Sequence, residues 1–460
     1  MIVCKFGGSS LASAEQIKRA TAIMLDNPDR RIMVVSAPGK RKDVIPDQKI
    51  TDLLLDLIQH QESIGGGQKE RDVFVQRIVE IATGLELTPE VAQSLSFELD
   101  QAIAKLDPNE PSSRADVLAM GEIASAKLVT RYLTAIGVQA RYVDPREAGL
   151  LLSYRNGVTD ILPETYDNLA PLALEEAITV FPGFFGRTKE GDTITFSRGG
   201  SDISGAVLAA AVNASLYENW TDRDSVQAVN PELVKDAVAL DEMSYREMRE
   251  LAYIGFSIIH PEALEPVIRK NIPLRIANTD APHLPGTRIV AERTHIDRIL
   301  TGIAASDHFC SINLRRILIN QEIGILAKIL TIFSELGINV HHVPTGIDSV
   351  SVIVKEAYFP LEQELVLRHR LAAELELTQV TVVRQMSIVM LVGEGMRDTT
   401  GVMARASAAL AKEKISIEVA MLDYFEISML FMMRQYEKLR AVSVLYNEFF
   451  LRVKDEDPFE

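Results

Sequence analysis

The sequence predicts an α/β protein: a central, mostly parallel sheet with flanking helices, followed by two ferredoxin-like βαββαβ modules. Three observations carry this. The chain opens "MIVCKFGGSSLASAEQIKRATAIML" and then "RIMVVSAPG", which reads strand, glycine turn, helix, strand, the order a parallel sheet needs because its neighbours are joined by helical crossovers. Short apolar strands and helix-period runs continue to alternate to about residue 290. After that a repeat appears: "GILAKILTIFSELGINV" from Gly324 and "GVMARASAALAKEKISI" from Gly401, 77 residues apart, each a glycine, a helical run and a β-branched strand start.

Taken in order, "MIVCKF" is a short buried strand and "GGSS" the turn that follows. Ser13 with Gln16 three residues on forms a capping box, and Ile17, Ala20, Ile23 and Met24 continue at helical spacing. "RIMVVSAPG" is the second strand and its loop. Helical periodicity predicts helices over 51–61, 70–83, 89–106 and 113–136. "VQARYVD" is strand-like, and "ITVFPGFFGRTKEGDTITF" reads as strand, turn and hairpin with "KEGD" at the tip. A helix after Ser201, the strand "SLYENWTD", the helix "SYREMRELAYIG", a helix after "HPEAL" and the strand "PLRIAN" complete this part. The polar stretch 292–298 marks a boundary. The expected domains are therefore 1–298, a first small module over 299–384 with a completing strand from 446–454, and a second over 385–445. Strands "IDSVSVIV" and "YFEISMLFMM" follow the two repeat helices, and each copy reads βαββαβ.

The composition narrows the function. The chain has 460 residues, 47% of them hydrophobic, and 48 Lys+Arg against 64 Asp+Glu give a net charge of −16. Binding to a nucleic-acid backbone needs clustered positive charge and is not expected. The short "GKRK" at 39–42 reads as a solvated loop. Two cysteines, Cys4 and Cys310, make no disulfide framework and no zinc spacing. No apolar run is long enough to span a membrane, the N-terminus carries no signal-peptide pattern, and a cytoplasmic location is the expectation.

No Walker A motif, HExxH pair or Gly-x-Ser-x-Gly elbow is present. What stands out is "KFGGSS": Lys5 at a strand end, then Gly7 and Gly8, whose backbone can approach a ligand and whose N–H groups can cradle phosphate oxygens. By itself such a turn can equally be only a turn. "RGGSD" before an alanine-rich helix is a second anion site, with Arg198 able to grip a carboxylate and Asp202 able to orient a lysine or a metal. A plain salt bridge and N-cap would use the same residues. Glu122 lies inside a long helix, and Thr221 and Asp222 end a strand, where ligands of open α/β sheets bind.

"KFGGSSL", "SAPG", "KITDLL", "MGE", "PGFFG", "RGGSD", "WTD", "SYREMRELAYIGFSIIHPEAL" and "NTDAPHLPGT" occur in this order along nearly the whole chain. Together they resemble the aspartate kinases of the amino acid kinase family, and the C-terminal repeat resembles their tandem ACT domains. The resemblance implies transfer of the ATP γ-phosphoryl group to the β-carboxylate of L-aspartate, giving 4-phospho-L-aspartate, with Mg²⁺ arriving with ATP rather than in a protein-only metal site. It assigns Arg198, Gly199, Gly200, Ser201, Thr51 and Glu122 to aspartate, Glu122 facing the α-ammonium. It assigns Lys5, Gly7, Gly8, Ser9, Thr221, Asp222 and Gln227 to ATP, with Lys5 and Asp202 catalytic. It also implies a homodimer formed through the ACT domains and an inhibitory amino acid, lysine ahead of threonine, held by Gly324, Ile325, Leu326, Asn339, Val340, His341 and Asp348. The chain departs from the family at Ser257, where many relatives carry a lysine, at Glu232, where many carry an arginine, and at Gln227, where a tyrosine is common. The departures leave a non-catalytic amino-acid sensor on the same scaffold as one alternative. A kinase for glutamate, acetylglutamate or carbamate is the other.

Overall fold

A computed structural model of the chain describes residues 1–41, 44–155, 158–197, 199–256, 259, 263–422 and 427–451. It divides into two compact units: Met1–Val226 with Leu240–Arg246 and Ser257–Arg293, and Gln227–Ala239 with Glu247–Phe256 and Thr294–Glu460.

In chain order the first unit carries β1 (Ile2–Phe6), β2 (Arg30–Val35), β3 (Ala140–Tyr142), the hairpin β4 (Leu152–Arg155) and β5 (Val158–Ile161), β6 (Ile178–Pro182), the hairpin β7 (Phe185–Arg187) and β8 (Thr193–Thr195), β9 (Leu216–Thr221), β10 (Glu242–Ser244), β11 (Leu274–Asn278) and β12 (Thr287–Val290). Eight of these form one sheet in the order β10-β12-β11-β9-β1-β2-β6-β3. Every pairing is parallel except β11 with β12. β1 and β2 are buried along almost their whole length, as central parallel strands are when helices cover both faces. The expected helices form as Ile50–Ile64, Gln68–Gly84, Pro89–Ala104 and Pro111–Ala135. Pro89 and Pro111 each stand in the first turn, where no N–H is needed. Ser13 caps its helix by accepting from Gln16 N–H. The apolar faces of these helices and of β1 and β2 share one core around Phe6, Leu54, Phe74 and Leu128. The hairpin β4/β5, the edge strand β10 and the antiparallel β12 carry no pattern that the sequence reading caught.

The second unit holds a five-stranded antiparallel sheet, formed by β13 (Gly302–Arg315), β14 (Ser349–Lys355), β15 (Gln379–Val392), β16 (Val419–Leu422) and β17 (Ser428–Arg434) in the order β14-β13-β15-β17-β16. β13 and β15 run through both repeats and pair with each other along most of their length; residues 309–315 of β13 also join β14, and residues 386–392 of β15 also join β17. Two expectations change here. Residues 446–451 complete no strand: Lys438–Tyr446 is a helix continued by a π turn over Asn447–Leu451, because Ala441, Val442, Leu445 and Tyr446 bury one helical face. The strand start "INV" forms no named strand either. Two isolated bridges follow it instead, His342 to Ile353 and Thr345 to Val350; Pro344 between them accepts Ser351 N–H at 2.9 Å but has no N–H of its own to donate.

Candidate active site

The loops leaving β1, β2, β6, β9 and β11 all emerge at one edge of the parallel sheet, the side where ligands of such sheets bind. Lys5, the last residue but one of β1, is 8% exposed. Its Nζ lies 2.6 Å from Asp202 Oδ1. Asp202 sits in the first turn of the helix Gly200–Ala211, where unpaired N–H groups favour a carboxylate. Asn219, aligned with Lys5 across the β1–β9 register, donates Nδ2–H to the same Oδ1 at 3.0 Å. Tyr217 donates its hydroxyl to the Asp202 carbonyl, also at 3.0 Å. Strand and helix thus fix Asp202, and Asp202 fixes Lys5.

The glycine turn lies beside this pair. Gly7 N–H donates to Trp220 carbonyl at 3.0 Å, and a Cβ on Gly7 would stand 3.6 Å from Lys5 Nζ, so the ammonium overhangs the turn. A Cβ on Gly8 would stand 2.8 Å from the Ala37 carbonyl, and Gly39 N–H donates to the Gly8 carbonyl at 2.8 Å. The "SAPG" loop therefore rests directly on the turn, which a side chain at either glycine would prevent. Ser9 follows, half-buried. Ser10 Oγ lies 2.7 Å from Thr279 Oγ1.

Glu122 is almost fully buried and receives the Ala37 N–H. Its Oε2 has no hydrogen-bond partner. Burial pushes its carboxyl up to about 8, against the smaller opposite effect of the Ala37 N–H. Thr51 lies in the first turn of Ile50–Ile64, whose Ile50 N–H donates to Pro38 carbonyl in the same loop. Gly199 takes φ +64° before the helix that begins at Gly200. A Cβ on Gly183 would stand 2.7 Å from Ser201 Cα, so the end of β6 abuts that helix start. Arg198 lies outside the described residues, as does Ser257. Thr221 donates to Asp222 at 3.2 Å on the open rim, beside Asn278, which donates to Asp224 at 2.5 Å. Gln227 belongs to the second unit, where its side-chain oxygen is buried without a partner.

The second unit has a cavity of about 330 Å³ lined by Asn320, Glu322, Ile323, Gly324, Ile325, Leu326, Thr345, Gly346 and Val350. It gathers Gly324, Ile325 and Leu326, but not Asn339, Val340, His341 or Asp348. His341 instead packs its ring 4.5 Å from Tyr253 and 4.9 Å from Phe309, and burial, then His342 and Lys355, push it down to about 4. Asp348 accepts Leu318 N–H at 2.8 Å.

Residues 1–278 match the amino acid kinase family and 389–449 match an ACT domain. Aspartokinase 3 of Bacillus subtilis is 40% identical over 98% of this chain and 99% of its own length. The chain belongs to the aspartate kinases of the amino acid kinase family. Among solved structures, the aspartate kinase of Clostridium acetobutylicum superposes with a TM-score of 0.84 at 30% identity, covering 98% of this chain and 100% of that one. Aspartokinase III of E. coli, held with aspartate and ADP, shares the fold at a TM-score of 0.78 and 24% identity, covering 98% of this chain and 100% of its own. Sequence reasoning missed three groups that contact residues of the candidate site: Asn219, the Ala37 N–H and Thr279. The first was within reach, since alternation along "LYENWT" puts Asn219 on the face opposite Glu218. Glu218 faces away, paired with Arg30 at 2.8 Å. No helix among the described residues is long and apolar enough to cross a membrane.

Proposed function

We propose that Lys5, Asp202 and Glu122 carry the transfer of the ATP γ-phosphoryl group to the β-carboxylate of L-aspartate. The observation that supports this most is the unpartnered Glu122 oxygen, a buried acceptor waiting for an ammonium. Arg198 would hold the α-carboxylate, with Gly199, Gly200, Ser201 and Thr51 around it. The attacking oxygen is already ionised at neutral pH, so no general base is needed. The task is to bring two anions in line and neutralise their charge. Lys5 does so over Gly7, Gly8 and Ser9, oriented by Asp202 and Asn219. Thr221 and Asp222 would meet the nucleotide, with Gln227 a further contact.

Mg²⁺ fits this donor set. It takes one or two carboxylates and otherwise phosphate oxygens and water, and Asp202 is a carboxylate beside the turn proposed to cradle phosphates. When bound the ion neutralises the β,γ-phosphate charge.

The regulatory reading places a first ACT module, 309–386, inserted in a second made of 302–306 and 386–451. The cavity at Gly324–Leu326 would take the inhibitory amino acid. Its one carboxylate, Glu322, is already held by Arg316 at 2.5 Å and Lys328 at 2.6 Å. Lysine would have to displace Lys328, whereas threonine needs no carboxylate for its side chain, which gives threonine a specific basis. Ile317, Leu318, Ile323, Leu326, Leu330 and Ile347 leave apolar surface exposed around the cavity, which suits a homodimer through this face.

Hydroxylamine trapping of the acyl phosphate tests the reading. L-Aspartate, ATP and Mg²⁺ should yield a hydroxamate, glutamate and acetylglutamate should not, and lysine or threonine should suppress it. Lys5→Ala should lower turnover by about a hundredfold or more with the fold intact by circular dichroism. A fully active variant removes Lys5 from the mechanism.

A further inference from the structure

Arg77 lies on the helix Gln68–Gly84, far in sequence from every residue assigned a role above, and is 4% exposed. One of its terminal nitrogens donates to two backbone carbonyls, Gly39 at 2.7 Å and Ala12 at 2.9 Å. The other donates to both oxygens of Asp47, at 3.1 and 3.0 Å. Asp47 in turn accepts from Arg41 N–H at 2.6 Å and from its guanidinium at 2.8 and 3.2 Å. Burial would raise the Asp47 carboxyl, but Arg41 and Arg77 outweigh it and hold it well below the usual range. Arg41 also reaches Glu80, one turn along from Arg77, at 2.6 Å. Within the basic stretch Arg41 is thus pinned, while Lys40 is exposed.

The three segments joined by Arg77 each lead into the site. Ala12 closes the turn Gly8–Leu11. Gly39 ends the loop that rests on Gly8 and whose Ala37 N–H meets Glu122. Asp47 precedes the helix that carries Thr51. A guanidinium presents its donors in a rigid planar fork, so it fixes the relative placement of its acceptors, not merely their proximity.

We propose that Arg77 is a positioning residue for phosphoryl transfer, a buried clamp that holds the aspartate-reading "SAPG" loop at the correct distance from the phosphate-cradling glycine turn. Each substrate keeps its own contacts without it. What is lost is the alignment between them, and small displacements of reacting groups cost rate steeply.

This inference rests on the aspartate kinase reading of the site, and wild-type hydroxamate formation tests that reading separately. The test of the clamp compares wild type with Arg77→Met and Arg77→Lys, using Asp47→Asn as a second route should Arg77→Met fail to fold. In Arg77→Met, Asp47 keeps Arg41, so no carboxylate is stranded. We expect kcat to fall by about tenfold or more while KM for ATP and for aspartate stay within about threefold, the signature of an interaction that matters only in the transition state. Arg77→Lys, with a point charge in place of the fork, should recover only part of the loss. Unchanged kcat in the folded variants overturns the proposal. So does a fall in kcat that tracks a lowered melting temperature and rising KM values, which is what a merely structural arginine would give.

Discussion

Glu122 shows how one residue can be set up by burial alone. Its carboxyl titrates near 8, so at neutral pH the empty site holds it mostly neutral. An α-ammonium arriving beside it favours the ionised form. Binding aspartate at pH 7 should therefore release a proton, and KM for aspartate should fall as pH rises from about 6.5 to 8.5 and then level off. The same shift bears on stability. Between the unfolded value, about 4.3, and 8, the folded state binds a proton that the unfolded state does not, so this group makes stability decline as pH rises through that window. Glu122→Gln removes the liability. Its ligand-free melting temperature should equal wild type near pH 4.5 and exceed it by a margin that grows up to pH 8, while KM for aspartate worsens by about tenfold or more, the worth of a charge-assisted hydrogen bond. A margin independent of pH would mean that Glu122 titrates normally.

At the scale of elements, the site depends on backbones meeting where side chains cannot. The end of β6 is pressed against the start of Gly200–Ala211 at Gly183, and Gly200 against Phe184, where a Cβ would stand 2.9 Å from Phe184 Cα. The carboxylate-bearing turn is placed by these contacts. Gly183→Ala must push that helix start away and move Ser201 and Asp202. The expected result is a several-fold higher KM for aspartate and lower kcat, with a stability loss of about 1–3 kcal/mol as for other overpacked sites, read by steady-state kinetics and denaturant melts. Wild-type kinetics would show that the helix start tolerates displacement. This geometry also explains what the sequence could and could not disclose. "KFGGSS" and "RGGSD" announce themselves because glycines and charges beside a strand end have few structural uses. The Ala37 N–H and the Arg77 fork leave no such trace, since a backbone donor has no residue type and a buried arginine in a helix looks like any surface arginine. The short edge strands escaped for a related reason: three residues show no period. The strand expected at 446–454 gives way because Ala441, Val442, Leu445 and Tyr446 bury one helical face and the π turn Asn447–Leu451 continues that helix.

At the scale of the molecule, the boundary between compact units does not follow the boundary between sequence families. The kinase-family match covers 1–278, yet Gln227–Ala239 and Glu247–Phe256 within it fold with the ACT unit. Glu247, fully buried, accepts from Thr301 at 2.5 Å and from Glu394 N–H at 2.9 Å. Tyr253 packs its ring against His341 at a tilt of 30°. The strand β14 brings these to the cavity: Val350 lines it, and three residues on, the Ile353 carbonyl holds His341 N–H at 2.8 Å. An inhibitor that shifts β14 would therefore shift the seat of Tyr253. Coupling needs a state-dependent contact of this sort, because a ligand with equal affinity for two states shifts neither. Tyr253→Ala should leave activity without inhibitor within about twofold of wild type and raise the half-inhibitory concentration by about fivefold or more, the lower end of ordinary allosteric couplings. Unaltered inhibition curves would remove Tyr253 from the route, and loss of basal activity would make it part of the catalytic scaffold instead.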